Sequence, residues 1–238
     1  HAELAVWQAA ADAADHLPDP AARIVAYRRL GQALAELGRH EDGIDHLNRA
    51  LALAERHHDP AEQAHTHRAH AWAWEQRADD LKALEHARHA LTHYRTLDQP
   101  VWEALALNAV GWYAARVGDY DTAREHCEAA LALYRRHHHD ADSEAGALDS
   151  LGFIDHHTGR HSQAIHHYGQ ALDLYRVVGN TTEVARTLDN LGHPHAALCH
   201  HDQARTAWQE ALELFREQGR TADVERVQRQ LDGLDEHH

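Results

Sequence analysis

The sequence predicts an all-α protein, a right-handed α-solenoid of antiparallel helix pairs with about 40 residues per repeat. Two observations lead to this fold class. Ala, Leu, Arg and Glu, which favour helices, are abundant among the 238 residues, whereas Gly and Pro occur only 13 and 5 times. No stretch alternates apolar and polar residues as a strand would. The second observation is a fixed period along the chain, which is the signature of a stacked repeat architecture.

The period is marked by small residues at three offsets. An anchor residue recurs at nearly constant spacing: Gly31, Ala71, Gly111, Gly152 and Gly192. A second small residue follows 12 positions later: Gly43, Ala83, Ala123, Ala164 and Ala204. An Ala followed by Leu comes 19 positions after each anchor: Ala50, Ala90, Ala130, Ala171 and Ala211. Antiparallel helices approach closely where small residues face each other, so each copy is predicted to be one tight helix pair.

Turn residues divide each copy into two helices. The turn inside each pair is predicted at Gly38-Arg39, Ala78-Asp79, Gly118-Asp119, Gly159-Arg160 and Cys199-His200, since Gly just past a helix end suits a left-handed cap. The turn between pairs is predicted at "HHDP", "LDQP", "HHHDAD", "VVGN" and "EQGR".

These turns give a single domain over residues 1–238. It comprises five full repeats, 21–60, 61–100, 101–141, 142–181 and 182–220. Residues 1–20 are expected to be the second helix of a truncated repeat, and 221–238 a capping helix. The chain is therefore expected to be part of a longer protein. Because the helix that would pack over Trp7 is missing from the truncated repeat, homodimer formation through this end is kept as an alternative.

Charge and composition exclude several classes of protein. The formal net charge is −15, which argues against nucleic-acid binding, since that function needs a basic surface. No run of about 18 apolar residues predicts a membrane span, and no signal-peptide pattern occurs. Two Cys suit a reducing compartment, so a cytoplasmic location is expected. Cys127 and Cys199 are expected to be small buried residues too far apart for a disulfide.

No pattern of an enzyme is present. The sequence lacks a phosphate-binding G-x-x-x-x-G-K-[ST], a nucleophile elbow and a zinc-protease H-E-x-x-H. Scattered carboxylates and imidazoles have no evident pocket to organise them. We therefore expect no catalytic residues, no cofactor and no enzymatic activity.

Histidine is unusually frequent, at 27 residues. His86, His89 and His93 share a helix face, His67 and His70 form a second set, and a third is His156, His157 and His161. A metal site would need fixed supporting partners. Because His46, His86, His126 and His167 recur at one position of the repeat, they are interpreted instead as its solvated surface residues. No physiological metal is predicted, while adventitious nickel or zinc and a pH response stay open.

The repeat resembles the tetratricopeptide repeat (TPR). Gly111, Gly118, Tyr120, Ala123 and Ala130 match that family's pattern of small and aromatic residues. The present repeat is longer than the usual 34 residues by about six. Where the family has a Pro at the end of the second helix, this chain has Glu55, Arg95, Arg135, Arg176 and Arg216.

The resemblance implies a protein or peptide ligand on a concave wall built from the first helix of each pair. The candidate wall residues are Arg28, Gln32, Arg68, Trp72, Glu75, Asn108, Trp112, Arg116, Asp149, Phe153, His156, Asp189 and His193. Polar side chains there would bind a peptide backbone and aromatic rings would bury its side chains. The change from Arg to Asp along the wall suggests acidic ligand parts near repeats 1–3 and basic ones near 4–5. In the alternative interpretation these residues only solvate the wall, or the aromatics pack between repeats.

Two segments, "LNAVGWYAARVGDYDTAREHCEAALALYR" and "TLDNLGHPHAALCHHDQARTAWQEALELF", resemble the C-terminal TPR arrays of actinobacterial SARP-type regulators. In those proteins a DNA-binding region and an NB-ARC switch precede the repeats. The resemblance implies a sensor or regulatory arm of a transcriptional regulator. The alternative is a scaffold or self-association domain that docks on neighbouring domains of its parent chain and has no peptide groove.

Overall fold

The computed structural model describes residues 6–9, 19–137 and 141–235, and these ranges are helical apart from short turns. Residues 6–9 of the predicted truncated repeat are helical, whereas its residues 1–5 and 10–18 lie outside the described residues, as do residues 138–140 of "HHHDAD". The described helices are α1 Pro20–Glu36, α2 His40–Arg56, α3 Pro60–Gln76, α4 Asp80–Thr96, α5 Pro100–Arg116, α6 Tyr120–Arg136, α7 Ala141–His157, α8 His161–Val178, α9 Thr181–Ala197, α10 His201–Glu217 and α11 Thr221–Asp235. The all-α fold class is confirmed.

The helix boundaries follow the predicted period. The first helices of successive pairs begin at residues 20, 60, 100, 141, 181 and 221, and the second helices at 40, 80, 120, 161 and 201. The predicted repeat length is therefore confirmed by the backbone. Among the described helices none is long and apolar enough to cross a membrane.

A left-handed residue closes almost every helix. Inside the pairs these residues are Gly38, Ala78, Gly118, Gly159 and Cys199, and between pairs they are His58, Asp98, Gly179 and Gly219. The turns predicted from the sequence are thus confirmed where the structure describes them, except that α8 continues through Val177 and Val178, so that only the second half of "VVGN" forms the turn. Cys199 corrects one expectation, because it is exposed at a turn with φ of 60° and is not a core residue, whereas Cys127 is buried as expected.

Local chemistry explains where the first helices begin. Pro occupies the first position of α1, α3 and α5, where its missing N–H costs nothing. The Asp19 carboxylate accepts a hydrogen bond from the backbone N–H of Ala21 at 3.0 Å, and the Asp59 carboxylate accepts one from that of Glu62 at 3.0 Å. These caps satisfy N–H groups that a helix leaves without partners.

The chain divides into two compact units, residues 1–119 and 120–238. In the first unit each helix packs on the next, and α1 also contacts α3. In the second unit each helix again packs on the next, and α7 also contacts α9. First helices of consecutive pairs are therefore neighbours within each unit.

Small residues bring the two helices of a pair together. A Cβ added at Gly31 would lie 2.8 Å from the backbone oxygen of Gly43, and one added at Gly43 would lie 2.7 Å from the backbone oxygen of Gly31. The third small position is fully buried at Ala50, Ala171 and Ala211. The predicted close approach is confirmed for Gly31 and Gly43 of the first repeat.

Candidate functional site

The first unit contains a cleft of about 400 Å³ that is lined by residues of α1, α3, α4 and α5. Three predicted wall residues, Gln32, Arg68 and Trp72, line this cleft together. The other lining residues, most of which the sequence did not single out, are Glu36, Ala71, Ala87, Ala90, Leu105, Ala106, Ala109 and Tyr113. The cleft therefore combines an apolar interior, rich in alanine, with a few polar side chains, which is the usual character of a ligand site.

Two polar atoms of the cleft lack partners among the described residues. Gln32 Oε1 and Arg68 Nε are buried and form no hydrogen bond there. The Arg68 guanidinium lies 5.4 Å from the ring centroid of Trp102, which holds the side chain against α5. The side chains that line the cleft thus hold one buried acceptor and one buried donor without a partner among the described residues.

Glu75 of α3 forms hydrogen bonds with two aromatic side chains near the C-terminal end of α5. Its carboxylate accepts a hydrogen bond from Trp112 Nε1 at 3.0 Å and another from the Tyr113 hydroxyl at 3.0 Å. Arg116 donates from Nε to Asp80 at 2.8 Å and lies 3.8 Å from Glu75. The predicted residues Glu75, Trp112 and Arg116 therefore contact one another, in a network that joins α3 to α5.

Arg28 and Asn108 occupy different surroundings. The Arg28 side chain is buried and pairs with Glu62 of α3 at 3.2 Å. Asn108 is half-buried on α5. Neither residue lines the cleft, so their role in ligand binding stays a prediction.

In the second unit the two predicted aspartates are buried between first helices. Asp149 of α7 accepts a hydrogen bond from the hydroxyl of Thr187 in α9 at 2.8 Å. Burial raises the pKa of Asp149 to about 6, although the bond from Thr187 works in the opposite direction. The Asp189 carboxylate pairs with Arg226 of α11, and the Asp189 backbone oxygen accepts from Trp208 Nε1 at 3.0 Å. Both aspartates already have protein partners, and their predicted contact with a peptide stays untested.

The remaining predicted residues of this unit form a ring cluster. Phe153 packs against His157 with centroids 4.0 Å apart, and His156 lies 5.9 Å from His193. His193 also meets the Trp208 indole edge-on at 5.5 Å, and its Nε2 is 3.2 Å from Gln230 Nε2. Burial, with the neighbouring imidazoles, lowers the pKa of His156 to about 4. The rings therefore pack largely among themselves.

Asp155 is a buried carboxylate that sequence reasoning missed. Its oxygens accept from Arg160 Nε at 2.9 Å, from His167 Nδ1 at 2.7 Å and from Arg124. Burial alone would raise the pKa of Asp155, but the bonds from His167 and Arg124 lower it. The recurrence of His at position 167 was the signal that could have indicated this pairing.

The histidines of the first unit form one cluster between α3 and α4. His67 Nδ1 lies 3.0 Å from His86 Nδ1, and the His70 ring stacks on His86 at 4.4 Å. The rings of His89 and His93 lie 4.9 and 5.9 Å from His67. Burial and the neighbouring imidazoles lower the pKa of His67 to about 3. Within the described residues no group of three or more His, Cys, Asp or Glu could hold a metal ion.

The expectation that the recurring histidines are solvated is wrong. His46, His86, His126 and His167 are all partly buried. His46 stacks on Tyr27 at 5.9 Å, and His126 Nδ1 lies 2.9 Å from the backbone oxygen of Thr122. The position belongs to the flank of the second helix, where the ring contacts its neighbours.

Two protein-family models that share one description match this chain. One family model described as Tetratricopeptide repeat matches residues 102–176 and 143–217, and a second with the same description matches residues 24–57. Together these matches span more than half of the chain. No curated protein sequence matches significantly.

Several solved structures share the fold. BtubC (BKLC) from P. vanneervenii has a TM-score of 0.75 and 17% identity, with 91% of each chain covered. A Rap protein in complex with Competence and Sporulation Factor has a TM-score of 0.69 and 16% identity, with 98% of this chain and 69% of that one covered. A signal transduction ATPase with numerous domains (STAND) and a tetratricopeptide repeat sensor, from Pyrococcus horikoshii, has a TM-score of 0.69 and 14% identity, with 90% of this chain but 37% of that chain covered. At these identities the likeness extends to the fold alone.

Proposed function

Because the chain belongs to the tetratricopeptide repeat family, we propose that it is a protein-interaction module that binds an extended peptide in the cleft of its first unit. The single observation that carries this proposal is the cleft itself. It has an apolar interior and two polar atoms, Gln32 Oε1 and Arg68 Nε, that have no hydrogen-bond partner in the described part of the chain. A peptide unit offers one N–H and one C=O, which match an acceptor and a donor respectively.

The arrangement of the cleft favours a peptide over a small polar ligand. Most of its lining residues come from the consecutive first helices α1, α3 and α5, with Ala87 and Ala90 of α4 behind them, so the bound chain would run across α1, α3 and α5. Trp72 and Leu105 supply apolar surface, and Arg68 supplies a cation. Aromatic residues and Arg dominate binding energy in protein interfaces, which supports this face over the charged surfaces elsewhere.

The test is peptide-library panning against three forms of the full chain. Ala109 lies half-buried at the cleft, and Ala109→Arg would place a bulky charge in it. Ala52→Arg, on the exposed face of α2 in the same unit, is the matched control. Circular dichroism and urea unfolding establish that all three are folded before panning.

The proposal expects the unchanged chain and Ala52→Arg to select the same peptides, and Ala109→Arg to select none of them. Selection of one common set by all three proteins would contradict it. So would the failure of every form to enrich any peptide.

The proposal extends to a sensor arm of a larger bacterial transcriptional regulator, located in the cytoplasm. Support comes from the printed description of the Pyrococcus protein, in which a tetratricopeptide repeat sensor belongs to a signal transduction ATPase. The Rap protein supports a peptide signal, since its structure contains Competence and Sporulation Factor. Detection of an NB-ARC-like segment in the same reading frame, upstream of this chain, would test the regulator assignment.

A scaffold or self-association role is the second candidate. One observation favours it, since Val177 and Val178 at the end of α8 are 81% and 45% exposed. Two adjacent exposed valines give an apolar patch outside the cleft. Sedimentation of the chain and of Val177→Glu over a range of concentrations distinguishes the candidates, because only self-association through this patch predicts a mass that falls in the variant.

A further inference from the structure

The part of the cleft that a ligand can reach is a narrow band of side chains on α1, α3 and α5. Among the described residues that line the cleft, those that are exposed or half-buried are Gln32, Glu36, Arg68, Trp72, Leu105 and Ala109. The alanines of the floor, such as Ala87 and Ala106, are 1% exposed and closed to a ligand. This accessible band therefore decides what the cleft binds, and it combines a cation with an anion.

Arg68 is the cation of the accessible band and is half-buried on α3. Its guanidinium lies 5.4 Å from the ring centroid of Trp102 and near the hydroxyl of Tyr94, and both of these groups are neutral. In the part of the chain that the structure describes, no carboxylate forms an ion pair with it. Because neutral partners leave the positive charge uncompensated, this half-buried guanidinium favours an anion from a ligand.

The surroundings of Arg68 are also positive. The carboxylate of Glu62 pairs with Arg28 at 3.2 Å, so it is already engaged by another cation. Burial, together with the charges of Arg28 and Arg68, lowers the pKa of His65 to about 4. An acidic ligand group at this end of the band would gain electrostatic free energy from both guanidiniums.

Glu36 is the anion of the accessible band and is the last residue of α1. It is exposed, and no cation of the described ranges pairs with it. The last turn of α1 contains no basic residue, so the partial negative charge of the helix C-terminus adds to that of the carboxylate. This end of the band therefore favours a basic ligand group, whereas the sequence pattern alone suggested acidic ligand parts across repeats 1–3.

The two charges stand at different levels of neighbouring helices that run in the same direction. Glu36 lies five positions after Gly31 on α1, and Arg68 lies three positions before Ala71 on α3. Both anchors lie eleven positions after the first residue of their helix, and the two helices pack side by side. The backbone positions of Glu36 and Arg68 are therefore offset by about 12 Å along the axes and, with about 9 Å between the axes, lie about 15 Å apart. An extended peptide covers that distance in about four or five residues.

We propose that the cleft selects a peptide with one acidic and one basic side chain, about four or five positions apart and separated by an apolar side chain. The acidic group would pair with Arg68, the basic group with Glu36, and the apolar side chain would pack on Trp72 between them. The proposal rests on the peptide-binding function above and specifies its ligand. Because a peptide of the reversed charge order would place like charges together, the cleft would also fix the direction in which the peptide binds.

Charge reversal of Glu36 tests the basic part of the ligand. Glu36→Arg changes an exposed residue and leaves Arg68 and the floor of the cleft intact. In peptide-library panning of the full chain, we expect the unchanged protein to select an acidic and a basic residue at a fixed spacing. Glu36→Arg should select an acidic residue in place of the basic one. Glu85→Arg, at an exposed position of α4 outside the cleft, makes the same change of net charge and should select the same peptides as the unchanged protein.

Arg68 is tested with a matched pair of peptides. One is the best peptide from the panning, and the other replaces its acidic residue with the corresponding amide. By fluorescence anisotropy, we expect the unchanged protein to bind the acidic peptide about tenfold more tightly than the amide peptide. Arg68→Gln should bind the two equally, while Arg88→Gln, at an exposed position of α4, should retain the full difference. A merely structural role of Arg68 would weaken both peptides alike and preserve their ratio. If Arg68→Gln does not fold, Glu36→Arg still decides the outcome.

The outcomes separate this inference from the function on which it rests. Selected peptides without an acidic and a basic residue at a fixed spacing, or an unchanged selection by Glu36→Arg, would overturn it. So would an equal affinity of the unchanged protein for the acidic and the amide peptide. If the selection still depends on Ala109 in those cases, peptide binding in the cleft stands and only the charge pattern falls. Enrichment of no peptide by any form would remove the proposed function and this inference together.

Discussion

The indole of Trp208 lies directly against Gly192, so a methyl group at residue 192 would overlap the indole Nε1. The same nitrogen donates a hydrogen bond to the backbone oxygen of Asp189 at 3.0 Å, which fixes the ring on α9. The ring cannot move away without breaking this bond. The anchor residue is therefore Gly for a steric reason.

Gly192→Ala is expected to lower the free energy of unfolding by ~1–3 kcal/mol, because overpacking outweighs the better helix propensity of Ala. Urea unfolding followed by circular dichroism measures the change. Gly169→Ala is the matched control, since Gly169 lies within α8 and an added Cβ meets nothing within 4 Å. That control should gain up to about 1 kcal/mol, and a loss in both variants would contradict the steric account.

Asp155→Asn is expected to destabilise the second unit by ~3 kcal/mol. The substitution keeps the shape of the side chain but removes the buried charge that pairs with Arg124 and Arg160. Asp202→Asn is the control, because Asp202 is 97% exposed and lies 3.6 Å from Arg205 in a surface pair of little value. Thermal unfolding of both variants gives the comparison, and equal melting temperatures would show that the buried network adds no stability.

The buried carboxylate of Asp149 gives the free energy of unfolding an unusual dependence on pH. Because its pKa in the folded protein is about 6 and its ordinary value is 3.8, the folded chain takes up a proton at a higher pH than the unfolded chain. For this group the free energy of unfolding therefore rises as the pH falls from about 7 to 4.

Asp149→Asn should remove that rise. The variant is expected to be at least as stable as the unchanged chain at pH 7, with the advantage lost at pH 4.5. Urea titrations at the two pH values measure it. A variant less stable by the same amount at both values would mean that Asp149 keeps its charge over this range.

The histidine cluster between α3 and α4 affects the pH dependence of stability in the direction opposite to that of Asp149. Burial lowers the pKa of His67 and of His70 to about 3 from the ordinary 6.5. The unfolded chain therefore binds more protons below pH 6.5, and the free energy of unfolding falls as the pH drops from about 6.5 towards 3. Each excess proton contributes about 1.4 kcal/mol per pH unit.

His67→Gln should reduce the loss of stability between pH 7.5 and pH 5.5. His57→Gln, at an exposed turn residue after α2, is the control and should leave the loss unchanged. Guanidinium unfolding at the two pH values measures the loss of free energy of unfolding in each variant. An identical loss in His67→Gln and the unchanged chain would exclude the cluster as its source.

Much of the fold could be predicted because small residues act locally. Gly31 and Gly43 contact each other's backbone, so their spacing in the sequence directly records the approach of two helices. The turns could also be predicted, because Gly38 and Gly118 adopt positive φ values of 77° and 87°, a conformation that favours glycine. These features depend on short-range geometry that a repeat displays several times.

The site was less predictable because a helix has no clear boundary between its inner and lateral faces. Three residues at the position three before the anchor, Arg28, Asp149 and Asp189, pair with the neighbouring first helix through Glu62, Thr187 and Arg226. Arg68, at the same position of the second repeat, lines the cleft instead. Gln32 and Trp72, each one position after its anchor, do line the cleft.

The most direct measurement of the central claim is the location of a selected peptide on the folded chain. A peptide from the library, with its leucine or aromatic side chains labelled, would be added to protein carrying 13C-labelled alanine methyl groups, and intermolecular NOEs would be recorded. The account predicts NOEs from one bulky side chain to the methyl group of Ala109, which is half-buried and lines the cleft. NOEs confined to alanines of the second unit, or to exposed Ala52 on α2, would contradict it.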